Sequence, residues 1–199
     1  MTKLSYILVV GVTLLAIITL VLQTAIDVQN GDKVLNAFGS QIRYFTNIMV
    51  YWVAIVFALM SIKRHWINQS LLAGTTVWIV LVGIVYHVLI AADHNPEGLD
   101  VLVNISQHTG IPIAVFLVWF FTAPKENLTY WGPVYWLACP ALYVFYALVR
   151  GGIDGKYPYF FLNPDKIGWS GVLVYFLGLG LVFYLSGLAI TYLAKRKAG

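Results

Sequence analysis

The charged residues of this 199-residue chain fall in short clusters separated by long stretches without any. Its twenty Lys, Arg, Asp and Glu leave six charge-free intervals, 4–26, 44–62, 66–92, 101–124, 127–149 and 167–194, which together hold 144 residues. A helix that crosses a bilayer needs about 20 mostly apolar residues, because the hydrocarbon core is about 30 Å thick and each residue rises 1.5 Å. All six intervals meet that length. Charged residues make up 10% of the chain, where a soluble domain carries about 25%. The pattern excludes a soluble enzyme, a nucleic-acid binder and a disordered chain. The net charge of +4 then reports membrane topology and not affinity for phosphates.

The expected fold is all-α: a polytopic membrane protein whose residues 1–199 form a single domain, six transmembrane helices in one bundle. The helices are placed near 4–26, 42–62, 70–92, 101–122, 130–150 and 170–194. A spanning β-barrel would need strands of about 10 residues with alternating polarity, and nothing here alternates. Orientation follows from counting Lys and Arg on each side. One face carries Lys3, Lys63, Arg64, Lys125, Lys195, Arg196 and Lys197 against the single acid Glu126. The other carries Lys33, Arg43, Arg150, Lys156 and Lys166 against seven acids, Asp27, Asp32, Asp93, Glu97, Asp100, Asp154 and Asp165. Both termini are therefore expected in the cytoplasm. The first apolar run is longer than a signal-peptide core and no A-x-A site follows it, so it reads as a retained helix. Cys139 has no second cysteine to pair with.

Strongly polar side chains are costly within lipid, so each needs a partner or a purpose. Here they gather at the outer helix ends. The second helix enters with Arg43, Tyr44, Thr46 and Asn47, and the third arrives with Tyr86 and His87. The fourth leaves through Asn104, Ser106, Gln107, His108 and Thr109, and the fifth ends with Tyr143, Tyr146 and Arg150. Thr46 lies about one turn inside its helix and His108 about two, roughly 5–10 Å deep. A hydroxyl and an imidazole at similar depth on different helices are able to meet. Pro112, four residues after His108, has no N–H for the histidine carbonyl and favours a local opening beside the imidazole. The longest connection, residues 150–169, reads RGGIDGKYPYFFLNPDKIGW. Its glycines and prolines end the helix, and Tyr157, Tyr159, Phe160 and Phe161 suit an interfacial cap over the outer helix ends.

Three segments carry a family resemblance: YFTNIMVYWVAIVFAL at 44–59, QHTGIPIAV at 107–115 and YALVRGGIDGKYPYFFL at 146–162. In this order, on a chain of this size, they resemble the androgen-induced-gene-like family of integral membrane proteins. Its animal members include the androgen-dependent TFPI-regulating protein, and the short extramembranous regions here look more like a bacterial member. The resemblance covers residues from about 40 to the C-terminus. It implies an intramembrane threonine hydrolase of fatty acid esters of hydroxy fatty acids, in a bacterial inner membrane. The family's catalytic threonine, early in a helix behind an aromatic or apolar pair, matches Thr46 in Tyr-Phe-Thr. Its histidine, with a small polar residue and then a proline after it, matches His108 in His-Thr-Gly-Ile-Pro.

A threonine hydroxyl needs an adjacent base to act as a nucleophile at neutral pH, which sets the expected separation at about 2.6–3.2 Å. Asn47, Gln107 and Arg43 are the candidate oxyanion donors. Asn104, His87, Tyr146 and Arg150 complete the candidate substrate-binding set, with Asn104, Tyr86 or a backbone carbonyl expected to orient the imidazole. Arg43 and Arg150 are the candidates to hold a fatty-acid carboxylate. The expected partners are membrane lipids and a fatty-acyl ester, and no cofactor or metal is expected. A haem would need paired axial ligands, for which the spans offer only His87 and His108. The alternative is a non-catalytic lipid-binding or transport protein built around the same polar cluster.

Overall fold

Each charge-free interval becomes a helix. The computed structural model describes residues 1–198, with side chains through Arg196, so Lys197 of the basic count lies outside the described side chains. Among the described residues no strand occurs, and six helical stretches are long and apolar enough to cross a membrane: Lys3–Gln29, Phe45–Lys63, Gln69–Asp93, Leu99–Thr122, Gly132–Asp154 and Pro164–Arg196. The described residues form nine α-helices, of which all but α2 lie in these stretches: α1 (Lys3–Gln29), α2 (Val34–Gln41), α3 (Phe45–Lys63), α4 (Gln69–Val85), α5 (Leu99–Ile105), α6 (Ile111–Thr122), α7 (Gly132–Trp136), α8 (Ala138–Asp154) and α9 (Pro164–Ala198).

Local chemistry sets most of the boundaries. Thr2 caps α1 by accepting the Ser5 amide at 3.2 Å, and Asn68 caps α4 by accepting the amides of Ser70 and Leu71. Arg64 adopts a left-handed φ of 50° that ends α3, as such residues do at helix C-termini. Two boundaries differ from the sequence expectation. α3 starts at Phe45 and not at 42, because Ile42–Tyr44 form the turn that joins it to the short helix α2. Thr46 thus lies in the first turn of its helix and not one turn inside. The last helix begins at Pro164 and breaks at Gly168 (φ 70°, ψ 162°), so its regular part starts where the span was expected.

The core lies along α1, α3, α4 and α6. Val9, Val12 and Ala16 recur at helical spacing on α1, and Val50, Val53 and Phe57 do so on α3. Leu72 and Ile79 of α4 and Ile111, Val115 and Trp119 of α6 close the same cluster. α9 is peripheral: 11% of its most apolar window is buried, against 50% for α3 and for α4. It leans on α4 and α7.

One end of the bundle is tied together by polar contacts. The Arg43 guanidinium, in the α2–α3 turn, donates to both carboxylate oxygens of Asp154 at the end of α8 and to the Lys156 carbonyl. Arg150 donates to the Gly39 carbonyl at 2.9 Å and to the Tyr146 hydroxyl at 2.6 Å, and the Tyr143 hydroxyl donates to the Arg43 carbonyl at 2.9 Å. The 155–163 segment then folds back across this end. Tyr157 lies over Gly151, where a Cβ would come within 2.3 Å of the ring. The 3-10 turn Phe160–Leu162 buries Phe161 and Leu162.

Candidate functional site

Two irregular turns create the site. Directly after α4 the chain makes a π turn, Tyr86–Ile90, and directly after α5 it makes another, Ser106–Gly110. A π turn inserts a residue into the helical ladder and re-aims the side chains around it, and such turns recur at functional sites. Tyr86 comes from the first and His108 from the second, and their rings stack with centroids 3.7 Å apart and planes at 16°. The opening expected beside Pro112 takes the form of this second π turn. Gly83 makes the approach possible, since a Cβ there would lie 2.6 Å from the His108 carbonyl oxygen and 3.4 Å from the Pro112 ring.

His108 Nε2 stands 3.4 Å from Thr46 Oγ1. Its Nδ1 meets Asn104 Oδ1 at 2.8 Å and the Asn104 carbonyl oxygen at 3.1 Å. Both are acceptors, so Nδ1 carries the ring proton of the neutral imidazole and Nε2 presents a lone pair to the threonine hydroxyl. The Asn104 amide is fixed in turn, because its Nδ2 donates to the Tyr86 hydroxyl at 2.8 Å, and that hydroxyl is hydrogen-bonded with His94 Nδ1 at 3.1 Å. The 3.4 Å separation exceeds a strong O–H···N bond. Catalytic hydrogen bonds are often long in resting sites and tighten when substrate binds.

Thr46 is nearly buried, at 9% exposure, and its amide is one of the first in α3, which have no partner within the helix. The Tyr159 phenol of the cap faces this point. Burial pushes its pKa up from the ordinary 10, against a smaller downward pull from the Thr46 hydroxyl and the Thr46 and Phe45 amides. It therefore stays a neutral hydroxyl.

Two cavities meet here. One, of about 400 Å³, is walled by apolar side chains of α4, α8 and α9, including Leu81, Val85, Val144, Leu177 and Phe183, and by Leu137 between α7 and α8. The other, of about 560 Å³, has Gln23, Asp27, Gln41, Asn47, Gln107 and Lys166 in its wall. Thr46, Tyr86, Ile90 and Tyr159 border both, whereas His108 borders only the polar one.

The remaining predicted residues divide. Asn47 and Gln107 border the polar cavity and hold each other, Gln107 Nε2 donating to Asn47 Oδ1 at 2.8 Å. Arg43, Arg150, Tyr146 and His87 border neither cavity. The two arginines and Tyr146 are occupied in the ties described above. His87 is exposed, with Nε2 2.9 Å from the Thr109 hydroxyl. Arg43 and Arg150, the candidates to hold a carboxylate, have their guanidinium groups engaged by Asp154, the Lys156 and Gly39 carbonyls and Tyr146. Gly83 and the paired π turns were missed, because a glycine in an apolar helix has no distinguishing sequence signal. Among the described residues no three His, Cys, Asp or Glu side chains gather as a metal-ligand set.

In comparisons with family models, curated proteins and solved structures, none matches this chain.

Proposed function

We propose that this is an integral membrane hydrolase that cleaves fatty-acyl esters with Thr46 as nucleophile and His108 as base. The observation that carries the reading is the Thr46–His108 pair, with Asn104 holding the imidazole in the tautomer a general base needs. In the first step His108 Nε2 takes the hydroxyl proton, Thr46 Oγ1 bonds to the ester carbonyl carbon, and the tetrahedral intermediate expels the alcohol oxygen, which receives that proton. In the second step His108 activates water, which displaces the acyl group from Thr46 as a free acid. A donor for the oxyanion is at hand in Asn47 Nδ2, which has no hydrogen-bond partner among the described residues and borders the polar cavity.

The motif resemblance to the androgen-induced-gene-like family makes esters of hydroxy fatty acids the first substrates to try. The distribution of Lys and Arg supports cytoplasmic termini, and the short connections a bacterial inner membrane. Purified protein in detergent is expected to hydrolyse long-chain acyl esters and to be labelled by a fluorophosphonate probe. Copurifying lipid without turnover of any ester would favour the binding or transport reading instead.

Asn104 acts through His108 as a positioning residue. Asn104→Leu is expected to lower kcat on the order of tenfold to a hundredfold with KM nearly unchanged, because a base held in the wrong orientation loses part of its 10²–10⁴-fold contribution. A change confined to KM would contradict that role.

A further inference from the structure

The two cavities differ in wall chemistry, and the reaction chemistry assigns each of them a part of the substrate. We propose that they are the two halves of one ester site: the acyl chain occupies the apolar cavity beside α8 and α9, and a polar alcohol occupies the cavity that His108 borders. This rests on the hydrolase reading above and fixes the direction in which an ester lies across it.

When the tetrahedral intermediate collapses, the carbon–oxygen bond to the alcohol breaks and the departing oxygen must take a proton from His108 Nε2. The same nitrogen must next remove a proton from the attacking water. Both the leaving oxygen and that water therefore lie on the His108 side of Thr46. His108 borders the polar cavity alone. The acyl carbon bonded to Thr46 then has only the other side available, where Thr46 also borders the apolar cavity.

The walls agree with that assignment. The apolar cavity is bounded by Leu177 and Leu181 of α9, which are 60% and 57% exposed on the outer surface of the least buried helix. An acyl chain reaches it from the hydrocarbon side without crossing polar ground. The opposite cavity offers the carboxylates of Asp27 and Asp93, the Lys166 ammonium and the amides of Gln23 and Gln41. An apolar alcohol placed there would strip water from these groups with nothing in return. The substrate class is thus a long-chain acyl ester of an alcohol that carries polar or charged groups, within which the carboxylated alcohol of a hydroxy fatty acid ester also falls.

A reversed pair of isomeric esters tests the direction. Decanoylglycerol carries the long chain on the acyl side and the polyol on the alcohol side, and decyl glycerate carries them the other way round. Purified protein is expected to hydrolyse decanoylglycerol faster by on the order of tenfold or more, the scale on which a pocket discriminates mismatched groups. Gly180 borders the apolar cavity and has nothing within 4 Å of a built Cβ, so Gly180→Phe fills the cavity without a clash at its base. That variant is expected to lower the kcat/KM ratio of decanoylglycerol to butanoylglycerol by on the order of tenfold. Gly178→Phe, on the same helix and bordering neither cavity, is expected to leave the ratio unchanged. Equal or reversed preference for the ester pair, or an unchanged ratio in Gly180→Phe, overturns the assignment while leaving the hydrolase intact. Absence of turnover of every ester overturns both.

Discussion

Thr46→Ala is expected to reduce ester turnover to background, a loss on the order of 10⁴-fold or more, and His108→Ala is expected to do the same. The double variant should be no worse than either single one. Groups that act as one unit fail together, since a nucleophile without its base and a base without its nucleophile are equally idle. The geometry supports treating them as a unit: one oxygen and one nitrogen 3.4 Å apart, with the imidazole proton committed to Asn104 on the far side. Folding should be little affected by Thr46→Ala, because the side chain is small and its hydroxyl makes only a long contact to His108 and one to the Tyr159 phenol. Thermal unfolding is the control, with a change of about 1 kcal/mol or less expected. Partial, additive losses of turnover would mean that the pair only helps to hold helices together.

Gly83→Ala is expected to cost activity on the order of a hundredfold, although Gly83 borders neither cavity. Its Cβ would lie 2.6 Å from the His108 carbonyl oxygen. Backbone atoms cannot rotate away as a flexible side chain can, so the π turn must move. A displacement of about 1 Å at a catalytic group is enough for a loss of about 10²-fold. The overpacking also costs stability, about 1–3 kcal/mol. Gly178→Ala is the matched control, because nothing lies within 4 Å of a Cβ there. Turnover measured beside thermal unfolding separates the two effects. Full activity in Gly83→Ala would show that His108 does not need its present position.

Much of this was readable from residue types alone. The six apolar stretches were legible because charge is excluded from lipid, and their positions follow from the gaps between charges. Thr46 and His108 stood out through depth, and His108 also through Pro112. What stayed hidden depends on distance in the chain. Arg43 and Asp154 are 111 positions apart, so nothing in the sequence pairs them, and Arg43 reads as a free cation available to a substrate. α2 is eight residues long and takes its stability from packing more than from its own sequence, so it read as part of a connector. The π turns at Tyr86–Ile90 and Ser106–Gly110 use ordinary apolar and polar residues. Pro112 signals an opening at the second of them, whereas the first shows itself only in its packing against the second through Gly83. Tyr159 was legible as part of an aromatic cap, but its place against Thr46 depends on how the 155–163 segment folds back.

The most direct measurement is the site of covalent acylation. Purified protein is incubated with a fluorophosphonate or with a slowly released acyl ester, digested, and sequenced by mass spectrometry. A single adduct on Thr46 is expected, absent in Thr46→Ala and greatly slowed in His108→Ala. An adduct on any other residue, or undiminished ester turnover in Thr46→Ala, would contradict Thr46 as the nucleophile.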